Sequence, residues 1–124
     1  MEKLIETRNL KELGRVLGIL IAEEESYTYV DKLAYAPSKD LVVFYLREAL
    51  RDIHSLMRKT RFENERTPNE LKSINFEIIE NCIQKLRDVE DRRELRELTS
   101  IMASMALTYS ASLIQESEKS KGEK

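Results

Sequence analysis

The sequence predicts an all-α fold, a single-domain helical bundle of about five helices. Three observations predict it. Three glycines and two prolines in 124 residues leave too few turn residues for a many-stranded protein. Apolar residues recur at helical spacing along most of the chain. No segment reads as a strand. A chain of this length is one domain and buries enough surface to need no disulfide or metal for its core. Residues 1–117 are assigned to the bundle and 118–124 to a charged, disordered tail.

The first helix is expected over residues 7 to 24, with Leu10, Leu13, Val16, Leu17, Leu20 and Ile21 on one face. Gly14 and Gly18 stack four apart on it, a spacing that suits close packing against another helix of the same chain. Glu23, Glu24 and Glu25 point in different directions and read as a solvated helix end rather than a metal site. Ser26 is placed as the N-cap of a short second helix, residues 27 to 34. In it Tyr29, Val30 and Leu33 face inward, while Tyr27 and Tyr35 are less constrained. Pro37 then breaks the chain.

Ser38 caps a third helix expected to run to about residue 61. Its broad apolar arc includes Val42, Leu46, Ala49, Leu50 and Ile53. Beside that arc Arg47, Arg51 and Arg58 fall within roughly 40° of one another, with Phe44 next to them and His54 at the border. Arginine suits phosphate because its planar fork binds bidentately; a solvated face with ion pairs is the plainer alternative. A fourth helix starts at Thr67-Pro68-Asn69-Glu70, a capping threonine with proline in the first turn and glutamate three residues on. It is expected to continue to about residue 87, with Asn75 inside its apolar arc and Cys82 as an inert core thiol. Asp91-Arg92-Arg93-Glu94 opens a fifth helix reaching about residue 116. No charged residue occurs between Glu97 and Glu116, so this helix is either the centre of the bundle or one that also meets a second chain.

Composition narrows the chemistry. One cysteine, Cys82, and one histidine, His54, exclude an internal disulfide and the usual Cys/His zinc clusters. A net charge of -2 gives no global attraction to nucleic acid, so any such binding rests on local clusters. The abundance of Glu, Lys, Arg and Leu with only two glutamines leans toward a thermophile. There is no glycine-rich phosphate loop, and no cofactor is expected. No run is long enough for a membrane span and the charged start lacks a signal-peptide core, so the expected location is cytoplasmic. Arg47 and His54, six residues apart between them, resemble the Arg-x(4–6)-His motif of HEPN ribonucleases, small helical dimers, although Glu48 departs from its usual pattern. That gives one alternative, a metal-independent ribonuclease. A helical protein-interaction module with no nucleic-acid role is another.

The segment Tyr27-Thr28-Tyr29-Val30-Asp31-Lys32-Leu33-Ala34-Tyr35-Ala36-Pro37-Ser38, followed by Leu46-Arg47-Glu48-Ala49-Leu50, resembles the small subunit of archaeal type I-A CRISPR interference complexes (Cascade). That resemblance implies a non-catalytic subunit rather than an enzyme, a minimal helical version without the β-rich insertion of some relatives. It implies a place beside the guide-RNA-bearing backbone, where copies of the chain help hold opened target DNA and stabilise the R-loop. The implied partners are other subunits of a CRISPR ribonucleoprotein, neighbouring copies of itself, and single-stranded DNA or the crRNA–target heteroduplex. The residues expected to contact nucleic acid are Arg47, Arg51 and Arg58, then Lys59 and Arg61, with Arg92, Arg93 and Arg96 as a second basic cluster. No catalytic and no metal-binding residue is assigned.

Overall fold

Six α-helices and no strand make up residues 7–35 and 38–122, the part of the chain that the computed structural model describes. They are α1 (Thr7–Glu24), α2 (Thr28–Ala34), α3 (Lys39–Leu56), α4 (Thr67–Lys72), α5 (Phe76–Leu86) and α6 (Arg92–Gly122). The all-α class expected from the sequence is the class observed. Pro37 and residues 123–124 lie outside the described residues.

α1 is the axis of the bundle. Leu10, Leu13, Leu17, Leu20 and Ile21 are almost fully buried, and from Val16 to Ala22 every residue is buried on every side. A helix surrounded in this way supplies the largest share of the hydrophobic stabilisation, about 1.5–3 kcal/mol for each large aliphatic side chain taken from water. Its main neighbour is α6, with α5 and α3 against its other sides. The two glycines make the α1–α6 approach possible: a Cβ added to Gly14 would lie 2.7 Å from the Met105 Cβ, and one added to Gly18 would lie 2.9 Å from the Ala106 carbonyl oxygen. Their spacing therefore does serve packing within one chain.

The charge-free stretch of α6 is not the centre of the bundle. Met102, Ala106 and Leu113 face α1 and the core, but Ser100, Ser104, Leu107, Thr108, Ala111 and Ser112 face outward. The helix also extends beyond residue 116 to Gly122, so 118–122, expected in a disordered tail, are helical. Asp91 begins it as the sequence suggests, its carboxylate accepting from the Arg93 backbone N–H at 2.9 Å.

Several helix boundaries differ from the sequence reading. α3 keeps its Ser38 cap, whose hydroxyl accepts from the Leu41 N–H at 3.3 Å, but it ends at Leu56 rather than near residue 61. Past Met57 the chain offers only exposed Arg58, Lys59, Thr60 and Arg61, with no apolar side chain whose burial would hold another turn. The expected fourth helix is two helices, broken at Ser73-Ile74-Asn75. Asn75 is exposed, not buried in an apolar arc, and its side chain caps α5 by accepting from the Ile78 N–H at 3.2 Å. Ser26 does not cap α2; Tyr27 occupies that position, with no side-chain cap. Thr67 likewise lies inside α4, which follows Arg66.

Glu25 ends α1 in the left-handed region, φ 53°, with its N–H on the Ile21 carbonyl at 2.9 Å. Glu23, expected at a solvated end, is the anchor of the loop after α3. Its carboxylate accepts from the backbone N–H groups of Glu63 (2.8 Å) and Asn64 (2.9 Å), the Asn64 amide (2.6 Å) and the Thr67 hydroxyl (3.0 Å). Asn64 and Thr67 are buried, so this carboxylate satisfies polar groups that have no access to water.

Candidate nucleic-acid interface

α3 and α5 run antiparallel along the surface of the bundle, and two side-chain contacts join them. Arg47 donates to the Glu80 carboxylate at 3.0 and 3.2 Å. About two turns further along α3, the His54 ring stacks on Phe76, with centroids 4.8 Å apart and an interplanar angle of 20°. Where α3 begins and α5 ends, the two helices leave a cavity of about 450 Å³. Val43, Phe44, Glu48 and Arg51 line its α3 side with Arg47 and Asp40, and Arg87 closes it from the end of α5.

The lining residues follow from helical geometry. Positions 40, 43, 44, 47, 48 and 51 recur every three or four residues and so form one ridge on α3. Phe44 stands out on it, an aromatic ring 54% exposed. Its ring is held edge-to-face by Tyr45 at 5.8 Å, and the Lys32 ammonium lies 5.1 Å from the Tyr45 ring centroid. The tyrosine-rich lead-in thus supports the ridge from behind. Tyr29 adds a hydrogen bond from its hydroxyl to the Asp52 carboxylate, and burial together with that bond pushes its phenol well above the ordinary tyrosine range. Tyr27 and Tyr35 are exposed, as expected of the less constrained pair.

The expected contact residues divide into three groups. Arg47 and Arg51 both reach the cavity, but Arg47 is already engaged with Glu80. Among the described residues Arg51 and Arg87 have no ion-pair partner. Arg58, Lys59 and Arg61 do not continue the helical stripe, because α3 has ended before them; Lys59 lies 3.8 Å from Glu24. Arg92, Arg93 and Arg96 are exposed on the first turns of α6. There Arg92 lines a second cavity of about 350 Å³ with Ser38, Glu90 and Asp91, while Arg93 and Arg96 border a shallow depression with Glu97 and Ser100.

Arg87 is the cavity residue that the sequence did not announce. It read as the last residue of a long fourth helix, and no spacing within that helix tells that its end faces α3. Cys82 is buried, and burial pushes its thiol up, the state of an unreactive core cysteine. Among the described residues no group of three or more His, Cys, Asp or Glu stands together as a metal would need, and no helix is long and apolar enough to cross a membrane.

Fold and site define an all-helical domain that presents an arginine-bordered cavity with an exposed phenylalanine. A protein of Archaeoglobus fulgidus, named "Uncharacterized protein", is 50% identical to it over 107 residues, which cover 86% of this chain and 92% of the relative. The chain belongs to the same family as that archaeal protein. No family model matches the chain, and no solved structure matches it.

Proposed function

We propose that this chain is a non-catalytic subunit of a CRISPR interference complex of the Cascade type, holding a single nucleic-acid strand on the α3–α5 face. The observation that carries the reading is the pairing of exposed Phe44 with Arg51 and Arg87, two guanidinium groups with no ion-pair partner among the described residues. Aromatic rings stack on bases of any sequence, and guanidinium forks bind phosphate; together they are the ordinary means of holding a single strand. The resemblance in the tyrosine-rich segment and in 46–50 supplies the complex in which the strand is met.

The charge balance accords with this role. A chain of net charge -2 binds a polyanion weakly alone, and weak sites gain from repetition when several copies lie along one strand. Exchange of a DNA duplex for a guide–target heteroduplex is close to balanced in energy, so a few contacts to the opened DNA are enough to tip it. Partners in this reading are the other subunits, adjacent copies of the chain, and single-stranded DNA or the crRNA–target heteroduplex. The cytoplasm is the compartment it implies.

The test is binding of single-stranded DNA by the full chain, alone and within the complex, across a salt series. Wild type is expected to bind with a negative salt slope. A variant carrying Arg51→Ala and Arg87→Ala is expected to keep its thermal midpoint and lose most of that binding. If the double variant binds strands and supports R-loops as wild type does, the α3–α5 face is not the strand site.

A further inference from the structure

We infer that the α3–α5 cavity is a nucleobase pocket selective for bases that carry an exocyclic amino group, cytosine and adenine among them, over thymine, which has none. This rests on the strand-binding reading above and specifies what that site recognises.

The contents of the cavity are mixed in a way that fits few ligands. Its volume, about 450 Å³, is that of a small-molecule pocket. Arg51 and Arg87 are free to take an anion, yet Asp40 and Glu48 line the same space. A site for phosphate alone has no use for two carboxylates, which repel it. A site for a cation alone has no use for the arginines. A nucleotide meets both demands, because its phosphate is an anion and its base edge can donate hydrogen bonds.

The ionised carboxylates accept hydrogen bonds and cannot donate them. They therefore favour the N4 amino group of cytosine and the N6 amino group of adenine, each with two N–H donors, over unpaired thymine, whose one donor, the ring N3–H, lies between two carbonyl oxygens that the carboxylates repel. Phe44, fixed edge-to-face by Tyr45 and otherwise half exposed, supplies the ring on which such a base stacks. Arg47 is the least available cation of the cavity, being held by Glu80 at 3.0 Å. Phosphate contact thus falls to Arg51 on α3 and Arg87 at the end of α5, and base-edge contact to Glu48 and Asp40.

Fluorescence anisotropy of the full chain at one low salt concentration tests this. The probes are labelled oligodeoxynucleotides of about 12 nucleotides, made of dC, dA or dT, and an abasic strand of the same length. The dC and dA strands are expected to bind about fivefold or more tighter than dT, and the abasic strand to bind weakest. Asp40→Asn with Glu48→Gln is expected to bring the dC-to-dT affinity ratio close to one; the ratio is the readout because removing two negative charges strengthens binding of every strand. Phe44→Leu is expected to lower all base-bearing strands toward the abasic level, with an unchanged thermal midpoint. Equal affinity for dC, dA and dT overturns the selectivity. Equal affinity for the abasic strand as well shows that no base enters the cavity, while leaving the strand-binding reading intact. Failure of every strand to bind, even at low salt, removes that reading and this inference together.

Discussion

At the scale of single residues, two glutamates hold more of the fold together than their surface-like sequence contexts suggest. Glu23 gathers four donors, three from the loop before α4 and the Thr67 hydroxyl at the start of α4. Replacing it by alanine leaves the buried Asn64 and Thr67 groups short of partners and is expected to cost about 2–3 kcal/mol, read as a lower denaturant midpoint. Glu70 accepts from Arg15 (2.9 Å), Arg66 (2.6 Å) and the Tyr109 hydroxyl, and so ties α4 to α1 and α6. Burial works against its charged form, but the hydrogen bonds from Tyr109, Arg66 and Arg15 outweigh it and hold the carboxyl below the usual range. The folded chain then binds that proton less readily than the unfolded one. Its stabilisation is complete above the ordinary carboxylate range and drains away as pH falls below about 4.5. Tyr109 moves the opposite way: burial, then its bond to Glu70, push the phenol up to about 12. That contribution is intact below about pH 10 and is lost as pH rises through about 12. Thermal midpoints measured across both ranges are expected to fall at each end, and the acid and alkaline losses are both expected to shrink in Glu70→Gln. Little of this was legible in the sequence. Glu23 sits in a run of three glutamates and Glu70 in a capping pattern, and apart from Arg66, one turn before Glu70, the donors of both come from residues 39 to 55 positions away.

At the scale of elements, helix existence was easier to read than helix ends. α1 matches its expected span from Thr7 to Glu24 because one apolar periodicity runs through it without a break. The Gly14–Gly18 pair correctly marked a close helix contact, and its energetics follow from the overlap. Gly14→Ala is expected to destabilise by about 1–3 kcal/mol, since the Met105 Cβ belongs to a packed helix and has little room to move. Circular dichroism melts of Gly14→Ala and Gly18→Ala measure it. The break before α5 is hidden in the sequence because Ile74, Ile78 and Ile79 keep helical spacing across it, with Asn75, the α5 cap, inside the same arc. Asn75→Ala is expected to cost about 1 kcal/mol, with the loss confined to α4–α5 in amide exchange. α3 shows the reverse error. Its pattern continues in the sequence to about residue 61, but the helix ends at Leu56 and Arg58 does not share the face of Arg47 and Arg51. The site that remains is smaller and mixed in charge, and one of its arginines, Arg87, stands at the end of α5, which periodicity along α3 alone never reveals.

At the scale of the whole molecule, charge is distributed rather than pooled. Lysine and arginine total 21 against 23 acidic residues, and those arginines that border the cavity sit among carboxylates. Strand binding is therefore expected to be modest and steeply salt-dependent, with log affinity falling about 0.7 per phosphate contact for each unit of log salt. Removing Arg51 and Arg87 together is expected to flatten that slope by about 1–1.5, as measured by anisotropy titrations at several salt concentrations.

The outward face of α6 has the opposite electrostatic character. From 98 to 115 it carries no charge at all, in a chain where 35% of residues are charged. Whatever grips that face does so through neutral and apolar contacts, which counterions do not weaken. Ionic strength then becomes a selective solvent for the two surfaces: rinsing an immobilised assembly with concentrated salt elutes the strand and leaves attached any protein seated on α6.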